Sequence, residues 1–360
     1  MNKRLVAAAV ASALALPMAA HAVKFKTSGQ VNRALEFNSD GEVSSMNSVD
    51  ADSSSTRFRF TGSEDMGNGI TAGVNLEIQV ESNSSADSAA NPTGDVNSGL
   101  STRHANVYFA GNFGKVTLGQ GSDATDGMAF ADLNNGAWMG GVENACDFGC
   151  AVEFRGSSAS FTGVTVGDVV TSYDGGRRDM VRYDTPAIGP LVASVSVATD
   201  SRVEGMLQAA GPVGGAGQYD LRGGYQNTQD GTWVISGAFK ANQGTSIQAA
   251  YGAQSYKSTG GVPAREDGTY YYVKLGHDWG NNSVAIDYRA NEDSHVSAGC
   301  TAGNAANRAC GVTAFGVGFA HSIPRVNVDF YASWKMYTLE DFAGADDVNV
   351  FVVGSRIKFD

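Results

Sequence analysis

Apolar and polar side chains alternate along nearly the whole of this chain, in segments of about ten residues, a period that fits β-strands with one apolar face. The stretch from Ile70 to Glu81 shows it most clearly. Ile70, Ala72, Val74, Leu76, Ile78 and Val80 share one face, and Thr71, Gly73, Asn75, Glu77, Gln79 and Glu81 share the other. Phe58 and Phe60 alternate with Arg57, Arg59 and Thr61 in the same way. So do Leu191–Ala198, Ile247–Gly252, Ser283–Arg289, Val326–Lys335 and Phe351–Phe359. A strand of a soluble sandwich would carry the same pattern, so no single segment decides the fold.

The connections narrow the choice. Short turns fall at Met66–Gly69, Gly111–Gly114, Thr185–Pro190, Ala241–Gly244, Trp279–Asn282 and Ser322–Pro324. Long polar loops fall at Asn38–Ser53, Ser82–Gly99, Gly121–Gly176, Lys257–Asp267, Asn291–Ala309 and Leu339–Asp346. Short turns at one end and long loops at the other are a habit of transmembrane β-barrels. Fifteen strands are plain. The segment Arg202–Ala209, with Val203, Gly205, Leu207 and Ala209 on one face, supplies the even number that both termini at one end require. A rival count would use Phe161–Tyr173 in the wall instead, and would put a long loop at the short-turn end. Phe113, Tyr183, Trp279, Phe359 and Tyr337 sit near strand ends, where barrels carry aromatic girdles.

Residues 1–22 read as a leader outside the fold. Lys3 and Arg4 precede the apolar run Leu5–Leu16, Pro17 breaks it, and Ala20-His21-Ala22 places small residues where a signal peptidase reads. Residues 23–360 then form one domain of 338 residues. Without Lys3 and Arg4 the chain has 23 basic and 37 acidic residues, a net charge of −14. That balance opposes nucleic acid as a partner. No segment of the 338 approaches the roughly 20 consecutive apolar residues of a spanning helix. The four cysteines form two local pairs, Cys146 with Cys150 and Cys300 with Cys310, which read as loop disulfides in an exported protein.

Five stretches then resemble one family, the sixteen-stranded trimeric porins of Gram-negative bacteria. They are Ser28–Leu35, Arg57–Asp65, Ser101–Ala105 followed by Phe113–Gly119, Val181–Pro186, and Val352–Phe359. Each motif is weak alone, and their order along the whole mature chain is specific. The resemblance implies an all-β, sixteen-stranded antiparallel barrel whose long third loop folds into the lumen. It implies a homotrimer in outer-membrane lipid, a water-filled path for passive diffusion of small hydrophilic solutes and ions, and a terminal strand ending in Phe359 that the outer-membrane assembly machinery reads. Two features depart from the family: Asp360 follows the terminal aromatic residue, and the third loop, Gly121–Gly176, is long and contains Cys146 and Cys150.

The same resemblance implies a constriction with basic residues on the wall and acidic ones on the loop. The wall residues carried over are Arg57, Arg103 and Arg182, and Arg59 joins them because it shares the Arg57 face. Alternation independently turns Arg57 and Arg182 away from the apolar face, whereas the parity of the Arg103 strand is ambiguous. Arg33 is the exception, because Val31 and Leu35 put it on the outer face, so it needs a bulge, a subunit contact or an interfacial position. On the loop, Asp123, Asp126, Asp132, Glu143 and Asp147 are available, Asp123, Asp126 and Asp132 lying nearest its descent. Such clustered carboxylates could also hold Ca²⁺. No resident cofactor is otherwise expected. His104, His277, His295 and His321 lack metal-ligand spacing and read as strand or loop residues, and no nucleophile elbow or phosphate loop is present. A channel selective for anions or sugars, a barrel enzyme or adhesin, and a soluble β-sandwich are the competing readings.

Overall fold

The computed structural model of the protein describes residues 24–90, 98–199, 201–227, 231–256, 266–296, 300 and 309–360. Residues 1–23, where the expected leader falls, and parts of five loops lie outside them. The strands are β1 (Lys24–Ser39), β2 (Ser44–Asp50), β3 (Arg57–Asp65), β4 (Thr71–Glu81), β5 (Gly99–Gly111), β6 (Gly114–Ser122), β7 (Glu153–Arg155), β8 (Phe161–Thr165), β9 (Arg177–Asp184) and β10 (Leu191–Ala198). They continue with β11 (Val203–Val213), β12 (Gly217–Gln226), β13 (Thr232–Ala241), β14 (Thr245–Gln254), β15 (Gly268–Trp279), β16 (Asn282–Val296), β17 (Ala309–Ile323), β18 (Val328–Glu340) and β19 (Val348–Phe359).

All but β7 and β8 join one antiparallel sheet, which closes where β1 pairs with β19 from Gly29–Phe359 to Ser39–Asn349. β2 and β3 are two pieces of one wall position. β2 pairs with the upper half of β1 and β3 with its lower half, and the 3₁₀ turn Asp52–Ser54 interrupts them. The barrel therefore has sixteen wall positions, as the alternation predicts. Its sixteenth strand is β11, paired with β10 and β12 along its length. β8, from the rival count, pairs only with β7 inside the long third loop.

The molecule is polar inside and apolar outside. Leu207 is 60% exposed and Ile235 55%, whereas Asn32, Glu36 and Glu204 of the opposite face are fully buried. In water that arrangement would be untenable, and in a bilayer it is the stable one. Connections 66–70, 112–113, 185–190, 214–216, 242–244, 280–281 and 324–327 are short and lie at the end that carries both termini. The long connections lie at the other end.

Two expectations need correction. Asn38–Ser53 is not a long loop: β1 runs to Ser39 and β2 starts at Ser44, because Ser44–Asp50 can pair across the hairpin with Arg33–Ser39. Tyr337 is no girdle residue. Its parity with the buried Tyr331 turns it inward, where it is 2% exposed, while Phe113, Trp279 and Phe359 remain outside. Asp360 is accommodated after the terminal Phe359 by an ion pair with Lys26 at 3.0 Å. The Phe359 ring packs 5.9 Å from that of Phe58 and lies over Gly29, where an added Cβ would come 2.5 Å from the ring.

The placement of β11 is testable by charge. Leu207→Arg puts a cation on the lipid face and is expected to destabilise the barrel by about 2–4 kcal/mol, whereas the inward Gln208→Arg is expected to cost much less. Denaturant unfolding in detergent or lipid measures both.

Candidate functional site

Three arginines of the inner face converge on one carboxylate. Arg103 Nε donates to Glu77 Oε1 at 2.7 Å and Arg57 Nη1 lies 3.4 Å from the same oxygen. Arg59 holds Glu77 Oε2. Glu77 sits on β4 between the strands that supply the arginines, and its side chain is 1% exposed. Alternation places it correctly on the inner face, but nothing in the local sequence marks it as the shared partner. Arg103 also donates to Gln79 Oε1 at 2.6 Å, and Arg57 to Ser54 Oγ at 3.1 Å.

A β-bulge explains why the parity of Arg103 is ambiguous. Glu77 pairs with His104 and Ile78 with Thr102, so Arg103 is an extra residue opposite no partner. Arg103 and His104 consequently both point inward. Arg33, by contrast, stays on the outer face by parity and is paired there with Asp50 Oδ2 at 2.6 Å.

Arg182 works at the root of the third loop. Its Nε donates to Asp184 Oδ1 at 2.9 Å, and its Nη1 donates to the carbonyl of Asp123 at 2.7 Å. Asp123 is fully buried. Its carboxylate accepts from Arg178 Nε at 2.8 Å, from the Gly176 N–H at 2.9 Å and from Thr125. Both ends of the loop are thus tied together. Gly175 is required there, since a Cβ would lie 2.4 Å from Asp123 Oδ1. The Asp123 carboxylate, expected to face the wall arginines Arg57, Arg59, Arg103 and Arg182, is enclosed and paired with Arg178 of β9.

The rest of the loop is fastened to inward-parity residues around most of the wall. Asp132 pairs with Lys274 at 2.7 Å, and Asn134 donates to Asp278 at 3.1 Å. Lys335 Nζ donates to the Gly141 carbonyl at 3.0 Å and to Asp287 at 3.1 Å. Arg289 donates to Asn144 Oδ1 at 3.2 Å and to the Thr171 carbonyl at 3.0 Å. Trp138 lies 5.2 Å from the Arg356 guanidinium. Val152, Phe154, Val164, Val166 and Val169 pack with Val348, Val350 and Val352 of β19 in one apolar cluster. Both cysteine pairs are disulfide-bonded, Cys146–Cys150 within this loop and Cys300–Cys310 at β17.

Of the five loop acids, Asp126 is partly exposed and its charge acts on Arg103. Glu143 and Asp147 turn toward each other; burial pushes both above the usual carboxylate range, Glu143 far above it with the Asp147 charge adding to the effect, while the hydrogen bond from Glu143 partly offsets the rise at Asp147. Among the described residues, no group of three or more acid, His or Cys side chains is placed to hold a metal ion.

Residues 7–341 match the family model of Gram-negative porins. The chain belongs to that family. It is a channel rather than an enzyme, an outer-membrane barrel through which small hydrophilic solutes and ions diffuse passively. Among curated proteins none matches the chain. The solved structures show the same fold at low identity. An anion-selective porin from Comamonas acidovorans is 15% identical, with 94% of this chain and 100% of that one covered and a TM-score of 0.63. OmpT of Vibrio cholerae in its trimer form is 14% identical, covers 94% and 100%, and has a TM-score of 0.60. A mutant porin of Rh. blastica is 15% identical, covers 93% and 100%, and has a TM-score of 0.51.

The Glu143–Asp147 pair gives this porin a pH signature. A carboxyl raised in the fold binds its proton more tightly folded than unfolded, so its contribution is present at low pH and is lost as pH rises through the folded value. The unfolding temperature is expected to fall as pH rises above the ordinary carboxylate range, and Glu143→Gln to make that fall smaller. An equal fall in the variant refutes the assignment.

Proposed function

We propose that this porin prefers anions, and that the preference is set where Arg57, Arg59, Arg103 and Arg182 of the wall border a lumen narrowed by the third loop. The observation that carries the reading is a charge imbalance. Asp123 and Asp132 are spent on Arg178 and Lys274, and Glu143 and Asp147 on each other. Glu77 and Asp126 oppose the cluster of Arg57, Arg59 and Arg103, to which Arg177 adds its charge. In a water-filled path with low-dielectric walls, a fixed excess of one sign concentrates the opposite counter-ion. The acidic total does not counter this, because charge away from the narrow path is screened within about 8–10 Å. The anion selectivity named for the Comamonas acidovorans porin agrees with this reading.

The working unit is a homotrimer. The trimer form of the Vibrio cholerae relative supports it, and so does Arg33. An arginine between the exposed Val31 and Leu35 would cost about 2–4 kcal/mol against mid-membrane lipid, and a neighbouring subunit covers its ion pair with Asp50 instead. Cleavage after Ala22 releases residues 23–360, and the strand ending in Phe359 is the part recognised by the assembly machinery.

Reversal potentials in planar bilayers test the proposal. Under a KCl gradient the wild type is expected to favour chloride. Arg57→Ala or Arg103→Ala is expected to lower the anion preference about twofold, and Glu77→Gln to raise it by a similar factor. Cation preference in the wild type, or the absence of triplet conductance steps, contradicts the reading.

A further inference from the structure

The bulge in β5 brings inward a second residue that the arginine cluster does not use. His104 stands beside Arg103 and opposite Glu77, and it is partly exposed. His277 Nδ1 lies 3.1 Å from Thr245 Oγ1 and His321 Nδ1 2.9 Å from Asn282 Oδ1. His104 has no such partner among the described residues, so its ring nitrogens are open to water and solute. The groups facing it are charged on three strands. Glu77 comes from β4, Arg59 from β3 and Arg177 from the start of β9, with Arg103 adjacent on β5. From β6 the uncharged Gly121 lies beside it, an added Cβ there coming 3.3 Å from His104 Nδ1. Glu77 is already shared by three guanidinium groups, so it is not a counter-ion reserved for the imidazole.

We propose that His104 is a selectivity residue of the channel, an imidazole that takes up a proton as the medium acidifies and adds a positive charge beside the arginine cluster. The inference rests on the reading that this cluster borders the conduction path. Histidine is the side chain whose charge changes between about pH 5 and about pH 8. One added charge a few ångströms from a permeating anion, screened by electrolyte, changes its occupancy by about twofold. Glu77 and Asp126 would shift selectivity in the same direction if they took up protons. The pH response alone therefore does not identify the group, and variants of His104 do.

The experiment uses the purified, natively folded porin in planar bilayers under a KCl gradient, at about pH 7.5 and about pH 5. The anion-to-cation permeability ratio of the wild type is expected to rise about twofold on acidification. His104→Gln is expected to give the same ratio at both pH values. His104→Arg is expected to show the acidic ratio already at neutral pH. A His104→Gln channel that responds to acid as the wild type does, or a His104→Arg channel with the neutral wild-type ratio, overturns the proposal. A wild-type channel that prefers cations at neutral pH refutes the anion reading instead. The role of His104 is then still decided by whether the pH shift depends on it.

Discussion

Closure of the hydrogen-bond ladder is the constraint on which this molecule depends. A bilayer offers no water to an unpaired strand edge, and each unsatisfied backbone group there costs several kcal/mol. The sheet must therefore return on itself, and it does so along β1 and β19. The inverted distribution of side chains, the seat of Phe359 over Gly29 and the ion pair that holds Asp360 all serve that seam or follow from it. The ladder is also relaxed at the start of the wall. Between β2 and β3 the wall is interrupted, and Gln30, Arg57 and Arg356 bond to Ser54 across the gap.

Inside the barrel the second constraint is charge. A carboxylate as enclosed as Glu77 is stable only when its lone pairs and its charge are matched, and three guanidinium groups match it with cation to spare. The loop meets its own requirement differently. Its Asp123 and Asp132 are paired with Arg178 and Lys274, its Glu143 and Asp147 face each other, and its carbonyls accept from Arg182, Arg289 and Lys335. Each of these bonds satisfies a loop charge or dipole, and Arg182 belongs both to these anchors and to the wall residues proposed to act on a passing ion.

Much of the wall was legible because its code is local. Alternation tells which face a residue takes, and it placed Arg57, Arg182 and the outward Arg33 correctly. It also recovered β11 from a weak segment. The reading failed where pairing departed from simple alternation or where the ends of an element were decided by its neighbour. The β5 bulge hid the parity of Arg103 and with it the inward position of His104. The hairpin of β1 and β2 took residues that looked like loop. Tyr337, near a strand end, was turned inward by a parity that its position near the end obscured.

The sequence by itself determined the strand number, the direction of most side chains, the end that carries the long loops and the arginines of the inner face. These follow from a period of two residues and from the cost of charge in lipid, which act within a strand or between neighbours. Only the tertiary structure decided which acid meets which base. Asp123 with Arg178, Asp132 with Lys274, and Glu77 with its three arginines are set by closure of the barrel and by the course of a loop held at many points. Coulomb pairing depends on distance across space, and no spacing along the chain encodes it.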